Sequence, residues 1–145
     1  MGTRSITHVY EQDTDTKPAQ PIVSIYQQYD GYPEGVGATL CKFMEGLKIV
    51  NGMSGDPVRV ANGAGCFAAQ LIAHLKKAPG GVYIYPPGAS DEEFVYRIYI
   101  KSPQGFRGSS SILLEVYDGD STKPPLFSGT PAEVAAAIAK PEADS

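Results

Sequence analysis

The sequence predicts an α+β domain in which an antiparallel sheet carries two or three helices packed on one face. Three observations lead to this class. Strand-like segments rich in β-branched and aromatic residues form an N-terminal pair and a later group of three, helix-like segments lie between these groups, and a further helix-like segment closes the chain. With 145 residues, 42% of them hydrophobic, the chain can bury one core, so we expect a single domain over residues 1–145.

The first two strands form a predicted hairpin. Residues 4–10 and residues 22–29 are rich in the residue types that favour strands. The segment between them, residues 11–21, is polar and contains two prolines, which is typical of an exposed loop. The N-terminal part of the sheet is therefore expected to be this hairpin.

Two helices follow the hairpin. The first is predicted from apolar residues at helical spacing, with Gly46 and Gly52 as candidate breakers: Val36, Leu40, Phe43, Met44 and Leu47. Residues 48–60 are expected to be irregular or to form a minor strand. The second helix, residues 65–78, has a continuous apolar stripe and ends before the sequence Pro-Gly-Gly. We expect both helices to pack on the sheet.

Three further strands are predicted over residues 82–85, 94–101 and 112–117. Apolar and polar side chains alternate in the middle one, which predicts a sheet with one buried face. Turn sequences at residues 86–88 and 103–105 indicate that the three strands form an antiparallel meander. Strand tyrosines predict a half-buried aromatic ladder: Tyr83, Tyr85, Tyr96, Tyr99 and Tyr117.

The chain ends in a linker and a helix. Residues 118–129 contain two prolines and two glycines, which predicts a linker. The helix, residues 130–140, begins with a capping box in which Thr130 caps, Pro131 takes the first helical position and Glu133 reaches back. This helix is expected to dock on the body of the domain or on a neighbouring subunit.

Composition excludes several classes of partner. The net charge is −4 and the basic residues are scattered, so we expect no nucleic-acid partner. No stretch approaches the roughly 20 apolar residues of a membrane span, and no apolar run follows Met1, so we expect no membrane partner and a cytoplasmic location.

A nine-residue bend, residues 29–37, is the strongest candidate for a ligand site. It combines rings, a carboxylate and three glycines between a predicted strand and a predicted helix. Tyr29 and Tyr32 are suited to stacking on a base, and Asp30 to accepting a hydrogen bond from a ribose or an amine. The alternative is a structural turn whose tyrosines cover the edge of the core.

A second candidate site is the start of the long helix. The residues Asn62, Gly63 and Gly65 precede or begin it, and free amide groups at a helix start bordered by glycine can hold a phosphate. The glycine spacing matches neither a dinucleotide fingerprint nor a phosphate loop. The alternative is that Asn62 only caps the helix.

Three arginines complete the predicted ligand-binding set. Arg4 begins the first strand, Arg97 lies in the middle of a later strand, and Arg107 lies in a loop rich in glycine and serine. A guanidinium group at any of these positions suits a phosphate. For Arg97 the alternative is a surface ion pair with Glu92 or Glu115, and for Arg107 it is simple exposure.

The sequence supports neither catalysis nor metal binding. His8 and His74 are the two histidines, and neither has a second ligand at metal spacing. We therefore predict no catalytic residue, no metal site and no cofactor, so the protein is not expected to be an enzyme.

Several motifs together resemble a family of small bacteriophage and bacterial proteins. They are the N-terminal MGTRS sequence, the DGYP turn at residues 30–33, the bend at residues 51–54, and residues 62–70 and 83–88. The resemblance covers most of residues 1–100 and implies a phage origin, with the host cytoplasm as location. In general character the chain is similar to phage sponges that sequester nucleotide immune signals such as cyclic ADP-ribose variants or cyclic dinucleotides.

The expected function is therefore phage anti-defence. The chain is expected to bind and sequester a nucleotide-derived signal without cleaving it, as a homo-oligomer. One alternative is a protein–protein inhibitor that binds a host enzyme through a tyrosine-rich face. A second alternative is a nucleotide hydrolase acting through His8 or His74.

Overall fold

A mixed six-stranded sheet forms the main layer of the computed structural model, which describes residues 2–12, 16–50, 60–101 and 112–139. The order of its strands is β5-β2-β1-β6-β7-β8. The strands are β1 (Ser5–Gln12), β2 (Val23–Gln27), β5 (Val82–Tyr85), β6 (Phe94–Lys101), β7 (Ile112–Tyr117) and β8 (Phe127–Gly129), and a separate parallel pair consists of β3 (Lys48–Val50) and β4 (Val60–Asn62). All pairs in the main sheet are antiparallel except β1 with β6. The α+β class is confirmed.

The N-terminal hairpin is confirmed. β1 and β2 pair antiparallel, with Ser5 opposite Gln27 and Val9 opposite Val23. β1 extends two residues further than the sequence predicts because residues 11 and 12 still pair with β6. β1 is thus a central strand, bordered by β2 on one side and β6 on the other.

The predicted three-strand meander is wrong. β5 pairs with β2 at the edge of the sheet, and β6 pairs in parallel with β1, so β6 and β7 are the only neighbours among the three strands. Burial gives the physical reason. Val95 and Ile98, which point to opposite faces of β6, are both fully buried, whereas Tyr83 and Ile84 of β5 are exposed. A strand buried on both faces belongs in the centre of a sheet, and a short exposed one belongs at its edge.

The segment predicted as a linker, residues 118–129, contains the edge strand β8. Phe127 lies opposite Val116 of β7, and Leu126 donates a backbone hydrogen bond to Val116. A three-residue strand that follows two prolines gives too short a pattern to be recognised in the sequence.

Three helices pack on one face of the sheet, as predicted. A π-helical turn, Pro33–Gly37, leads directly into α1 (Ala38–Met44), and the others are α2 (Gly63–Leu75) and α3 (Pro131–Ala139). The core between the layers includes fully buried side chains from both, among them Val9, Ile98, Leu114, Leu40, Phe67 and Leu71. In the parts of the chain described, no helix is long and apolar enough to cross a membrane.

The start of α3 has the predicted capping box. The Thr130 amide donates to Glu133 Oε1 at 2.9 Å, and the Glu133 amide donates to Thr130 Oγ1 at 3.2 Å. Val134 is buried against the sheet in the next turn. The helix therefore docks on the body of its own chain. The predicted turn at residues 103–105 and bend at residues 51–54 lie outside the described residues.

Candidate functional site

The sheet face opposite the helices carries polar and aromatic side chains in register. His8 of β1 lies opposite Arg97 of β6, and Tyr10 lies opposite Tyr99. On the other side of β6, Arg97 lies opposite Glu115 of β7. Because side chains alternate along strands, all of these project from the same face. We call it the tyrosine–arginine face, defined by His8, Tyr10, Arg97, Tyr99, Glu115 and Tyr117.

Aromatic rings stack across neighbouring strands on this side of the sheet. The ring centres of Tyr10 and Tyr99 are 4.6 Å apart, and those of Tyr26 and Tyr85 are 4.7 Å apart. Both pairs are nearly parallel, with interplanar angles of 14° and 5°. The predicted aromatic ladder is confirmed in part: Tyr85 and Tyr99 are in stacked pairs, with Tyr26 and Tyr10 as partners that the sequence pattern had not indicated. Tyr96 is not a member, because it is fully buried on the helix side of the sheet, and Tyr99 and Tyr117 are buried rather than half-buried.

Loops cover the tyrosine–arginine face, so the sheet is buried on both sides rather than on one. The Lys17 side chain forms an ion pair with Glu115, and its ammonium group lies 5.1 Å from the centre of the Tyr99 ring. From two other loops, Ser121 and Asp91 hydrogen-bond to each other above the sheet. As a result Tyr99 is only 3% exposed. The face is a covered layer of charged and aromatic groups.

Arg97 is the cation at the centre of this layer. Its Nη2 donates to Ser121 Oγ at 3.0 Å, and the Ser121 hydroxyl in turn donates to the Asp91 carboxylate. The guanidinium carbon lies 5.2 Å from the centre of the Tyr117 ring, which is a cation–π distance. The predicted alternative, an ion pair with Glu92 or Glu115, is wrong: Glu115 instead pairs with Lys17.

Among the described residues, one hydrogen-bond donor of Arg97 has no acceptor. Nε is buried and makes no hydrogen bond, although the Tyr99 side chain interacts with the guanidinium group. Burial acts to lower the pKa of Arg97, but its interactions with Tyr10 and Tyr99 raise it on balance, so the group keeps its charge. A buried donor without an acceptor costs about 1–3 kcal/mol. The site therefore lacks a hydrogen-bond acceptor for Arg97 Nε, and a bound anion would supply one.

His8 is buried on this face and lies within hydrogen-bond distance of Ser24. Its Nδ1 lies 2.7 Å from Ser24 Oγ, and Ser24 Oγ also accepts a hydrogen bond from the Gly88 amide. Ser24 is fully buried and His8 is 3% exposed. A serine beside a histidine can act as a nucleophile, but here the Gly88 loop covers the hydroxyl. In this arrangement no substrate reaches Ser24.

The buried His8 predicts a loss of stability in mild acid. Burial lowers its pKa, Arg97 lowers it further, and Asp91 partly offsets the shift. Below the unfolded value of about 6.5, the unfolded chain binds a proton that the folded chain resists, so the free energy of unfolding falls as the pH falls. Urea denaturation between about pH 7 and pH 5 should show this slope, reduced in His8→Gln. An equal slope in both proteins would contradict the assignment to His8.

The predicted DGYP bend is a tightly bonded turn at one end of β1. The Gly31 amide donates to Thr3 O, which places the bend beside Arg4, and the Tyr32 hydroxyl donates to Asp30 Oδ1 at 3.0 Å. Asp30 adopts φ 56°, a left-handed conformation that aspartate tolerates. Tyr29 is 59% exposed. The structure thus brings together four predicted site residues: Arg4, Tyr29, Asp30 and Tyr32.

The predicted helix-start site lies where β4 meets α2. Asn62 belongs to β4 opposite Val50, and its side chain makes no capping hydrogen bond to α2, so the alternative role as a helix cap is wrong. Val50 lines a large cavity that Glu34 of the 29–37 bend also lines.

Replacing Gly65 with alanine tests whether the fold of the helix start requires a glycine at this position. A Cβ atom added at Gly65 meets nothing within 4 Å, and this residue lies inside α2. Gly65→Ala should therefore raise the free energy of unfolding by about 0.4–1 kcal/mol. Gly63→Ala is the matched control, because φ is +82° there and alanine should destabilise the protein by about 1–2 kcal/mol. Thermal denaturation of both variants checks the prediction, and destabilisation by Gly65→Ala would contradict it.

Two of the cavities that border the described residues lie near the elements discussed above. The larger, about 1230 Å³, lies between α1, α3 and β3, and its described lining contains no aromatic or arginine side chain. The smaller, about 270 Å³, lies at the edge of the tyrosine–arginine face and is lined by Lys17, Tyr99 and Lys101 among others. Neither lining includes Arg4, the DGYP tyrosines or the predicted helix-start residues.

Of the two remaining predicted site arginines, the structure describes one. Arg97 lies in the tyrosine–arginine face, and Arg107 lies outside the described residues. His74 packs beside Phe43, with ring centres 5.0 Å apart. Within the described ranges, no group of histidine, cysteine and acidic side chains could hold a metal ion.

Sequence reasoning missed the residues that surround Arg97. Arg97 is far from His8 and Tyr10 in the chain and meets them only because β1 pairs in parallel with β6. The alternation of side-chain directions along β1 could have predicted part of this site from the sequence, because it places His8 and Tyr10 on one face. The strand pairing itself has no local signature.

Comparisons with known proteins do not identify a family. The described site, with an arginine among stacked tyrosines beneath three loops, must therefore be interpreted from its own chemistry. The phage resemblance of the N-terminal motifs stays a prediction. A scan against protein-family models, a search of curated proteins and a search of solved structures each found no match for this chain.

Proposed function

We propose that this protein binds and sequesters a nucleotide-derived small molecule at the tyrosine–arginine face, without cleaving it. The observation that carries the proposal is Arg97, a charged group with a buried donor and no carboxylate of the described residues at ion-pair distance. A phosphate oxygen supplies both the acceptor and the negative charge that Arg97 lacks. The rings of Tyr10, Tyr99 and Tyr117 supply a surface on which a base can stack.

Entry of a whole nucleotide requires the covering loops to move. The cavity lined by Lys17, Tyr99 and Lys101 holds about 270 Å³, which is below the usual range of about 300–1,000 Å³ for small-molecule sites. It has room for a phosphate-bearing part of the ligand, with two lysines beside it. The rest of the ligand reaches Arg97 only if Ser121 gives up its hydrogen bond to Nη2. A ligand phosphate replaces that bond with a stronger, charge-assisted one.

The serine–histidine pair that the described residues place on this face supports sequestration without turnover. Ser24 is fully buried and already accepts the Gly88 amide, so it is held away from any ligand. This arrangement favours binding over the hydrolase alternative. The inhibitor alternative is also less favoured, because Tyr10 and Tyr99 are covered by the chain's own loops. The anti-defence role itself rests on the resemblance to phage proteins.

The test is uptake and release of defined nucleotides. The protein is incubated with a cyclic dinucleotide or a cyclic ADP-ribose isomer, affinity is measured by calorimetry, and the ligand is recovered after heating and chromatographed. Intact recovery supports sequestration. A chemically altered product contradicts it and supports a hydrolase, and absence of uptake across the panel contradicts binding.

Arg97→Lys locates the site. Lysine keeps the positive charge but loses the planar fork that binds phosphate, so affinity should fall by at least about tenfold, or 1.4 kcal/mol. Arg4→Lys is the matched control at the DGYP bend and should bind as the unmodified protein does. Unchanged binding in Arg97→Lys would remove the tyrosine–arginine face as the site. Loss confined to Arg4→Lys would instead move the site to the bend.

A further inference from the structure

Three buried side-chain oxygens without a hydrogen-bond partner lie on the helix side of the sheet. Among the described residues they are Ser5 Oγ, Thr7 Oγ1 and Gln27 Oε1. Ser5 and Thr7 are fully buried, and Gln27 is 9% exposed. A buried polar group without a partner is rare in a folded protein, so three of them at neighbouring positions indicate one partner that they share.

Strand pairing brings these three side chains together. Alternation along β1 puts Ser5 and Thr7 on the same face as Val9, which packs against the helices. Gln27 of β2 lies directly opposite Ser5. Opposite Cβ atoms are about 4.5–5.5 Å apart across a sheet, and residues two apart on one strand are separated by about 7 Å. The three oxygens therefore border a single small volume.

The DGYP bend lies over this volume. A Cβ atom added at Gly31 would lie 2.9 Å from Ser5 Cβ, so the backbone of the bend packs directly on Ser5. Tyr96 of β6 lies opposite Thr7, and its hydroxyl donates to the Gly31 carbonyl. The Tyr96 hydroxyl hydrogen is therefore already used by the bend. The three oxygens lie between the sheet and the bend, where Ser5 and Thr7 have no exposed surface.

We propose that one buried water molecule binds here and bridges Ser5, Thr7 and Gln27. Each hydroxyl can donate a hydrogen bond, whereas the Gln27 side-chain oxygen can only accept one. A water molecule accepts from both hydroxyls and donates to Gln27 Oε1, which gives the three hydrogen bonds that a buried water typically makes. A direct hydrogen bond between Ser5 and Gln27 would instead leave Thr7 Oγ1 without a partner.

The absence of charge on these three side chains favours water over an ion. Serine, threonine and glutamine are neutral, so an ion bound by them would have no counter-charge from its own ligands. Burying such a charge costs far more free energy than burying a hydrogen-bonded neutral molecule. Water is also small enough to lie within hydrogen-bond distance of all three oxygens at the spacing that the strands impose.

Relaxation dispersion of the water oxygen-17 nucleus tests the proposal, because it counts buried waters that exchange slowly with solvent. The double variant Ser5→Ala/Thr7→Val leaves the water with Gln27 alone and should hold one slowly exchanging water fewer than the unmodified protein. Thr7→Ser is the matched control, since it keeps the hydroxyl and should keep the water. Equal counts in the double variant and the unmodified protein would overturn the proposal. The same loss in Thr7→Ser would also overturn it, because the loss would then follow the methyl group.

A high-resolution crystal structure of the unmodified protein gives an independent test that needs no variant to fold. It should show one water within about 2.7–3.2 Å of Ser5 Oγ, Thr7 Oγ1 and Gln27 Oε1. A direct Ser5–Gln27 hydrogen bond with no water, or an ion coordinated by five or more oxygens, would contradict the assignment. This site lies on the opposite face of the sheet from the tyrosine–arginine face, so neither measurement depends on nucleotide binding.

Discussion

Tyr96→Ala is expected to lower the free energy of unfolding by about 3–5 kcal/mol, the usual range for removing a buried aromatic side chain. Tyr96 is fully buried beneath the helices, and its hydroxyl donates to the Gly31 carbonyl at 2.6 Å. It therefore joins the central strand β6 to the DGYP bend. The substitution leaves a cavity in the core and also removes the bond that holds the bend against the sheet. Chemical denaturation followed by circular dichroism measures the loss.

Tyr96→Phe separates these two contributions. Phenylalanine keeps the ring in the core but leaves the Gly31 carbonyl without its donor, which should cost about 1–3 kcal/mol. The expected order is therefore unmodified protein, then Tyr96→Phe, then Tyr96→Ala. Equal stability of the phenylalanine variant and the unmodified protein would show that the hydrogen bond to Gly31 contributes nothing.

Gly35→Ala is expected to destabilise the protein by about 3 kcal/mol, at the upper end of the range for overpacking. A Cβ atom at this position would lie 2.2 Å from Asp30 O and 2.9 Å from Asp30 Cβ. The same Asp30 oxygen accepts the Val36 amide at 2.8 Å, so it cannot move without breaking the turn. The glycine is therefore required by the close approach of the backbone.

Glu34→Ala is the control for this substitution. Glu34 precedes Gly35, and its side chain is exposed, so the change should stay within about 0.5 kcal/mol. Thermal denaturation of the two variants gives the comparison. If Gly35→Ala melted with the control, the bend would be more adaptable than its contacts indicate.

Local patterns predicted most elements of the fold. The capping box of α3, the hairpin and the bounds of β6 each depend on residues that are neighbours in sequence, and the structure has all three. The pairing of β1 with β6 joins segments about ninety residues apart and has no local signal. The meander was predicted because turn residues lie between the strands, yet burial on both faces moves β6 to the centre.

The candidate site was less predictable than the fold. Arg97 was selected for its residue type, which suits phosphate, but its surroundings depend on the β1–β6 register and on loops that supply Lys17 and Ser121. Loop contacts of this kind leave no periodic pattern in the sequence. The expectation that the DGYP bend and the start of α2 share one concavity stays a prediction. Glu34 of the bend and Val50, which pairs with Asn62, line the same large cavity, but the predicted binding residues of the two segments do not line it.

The most direct measurement of the central claim is the nuclear magnetic resonance signal of the Arg97 Nε–H group during titration with a nucleotide. We predict that this signal moves as the buried Nε gains a phosphate acceptor, while the ligand is recovered unaltered. A ligand that binds, as shown by shifts elsewhere in the protein, without moving the Arg97 Nε–H signal would contradict the account.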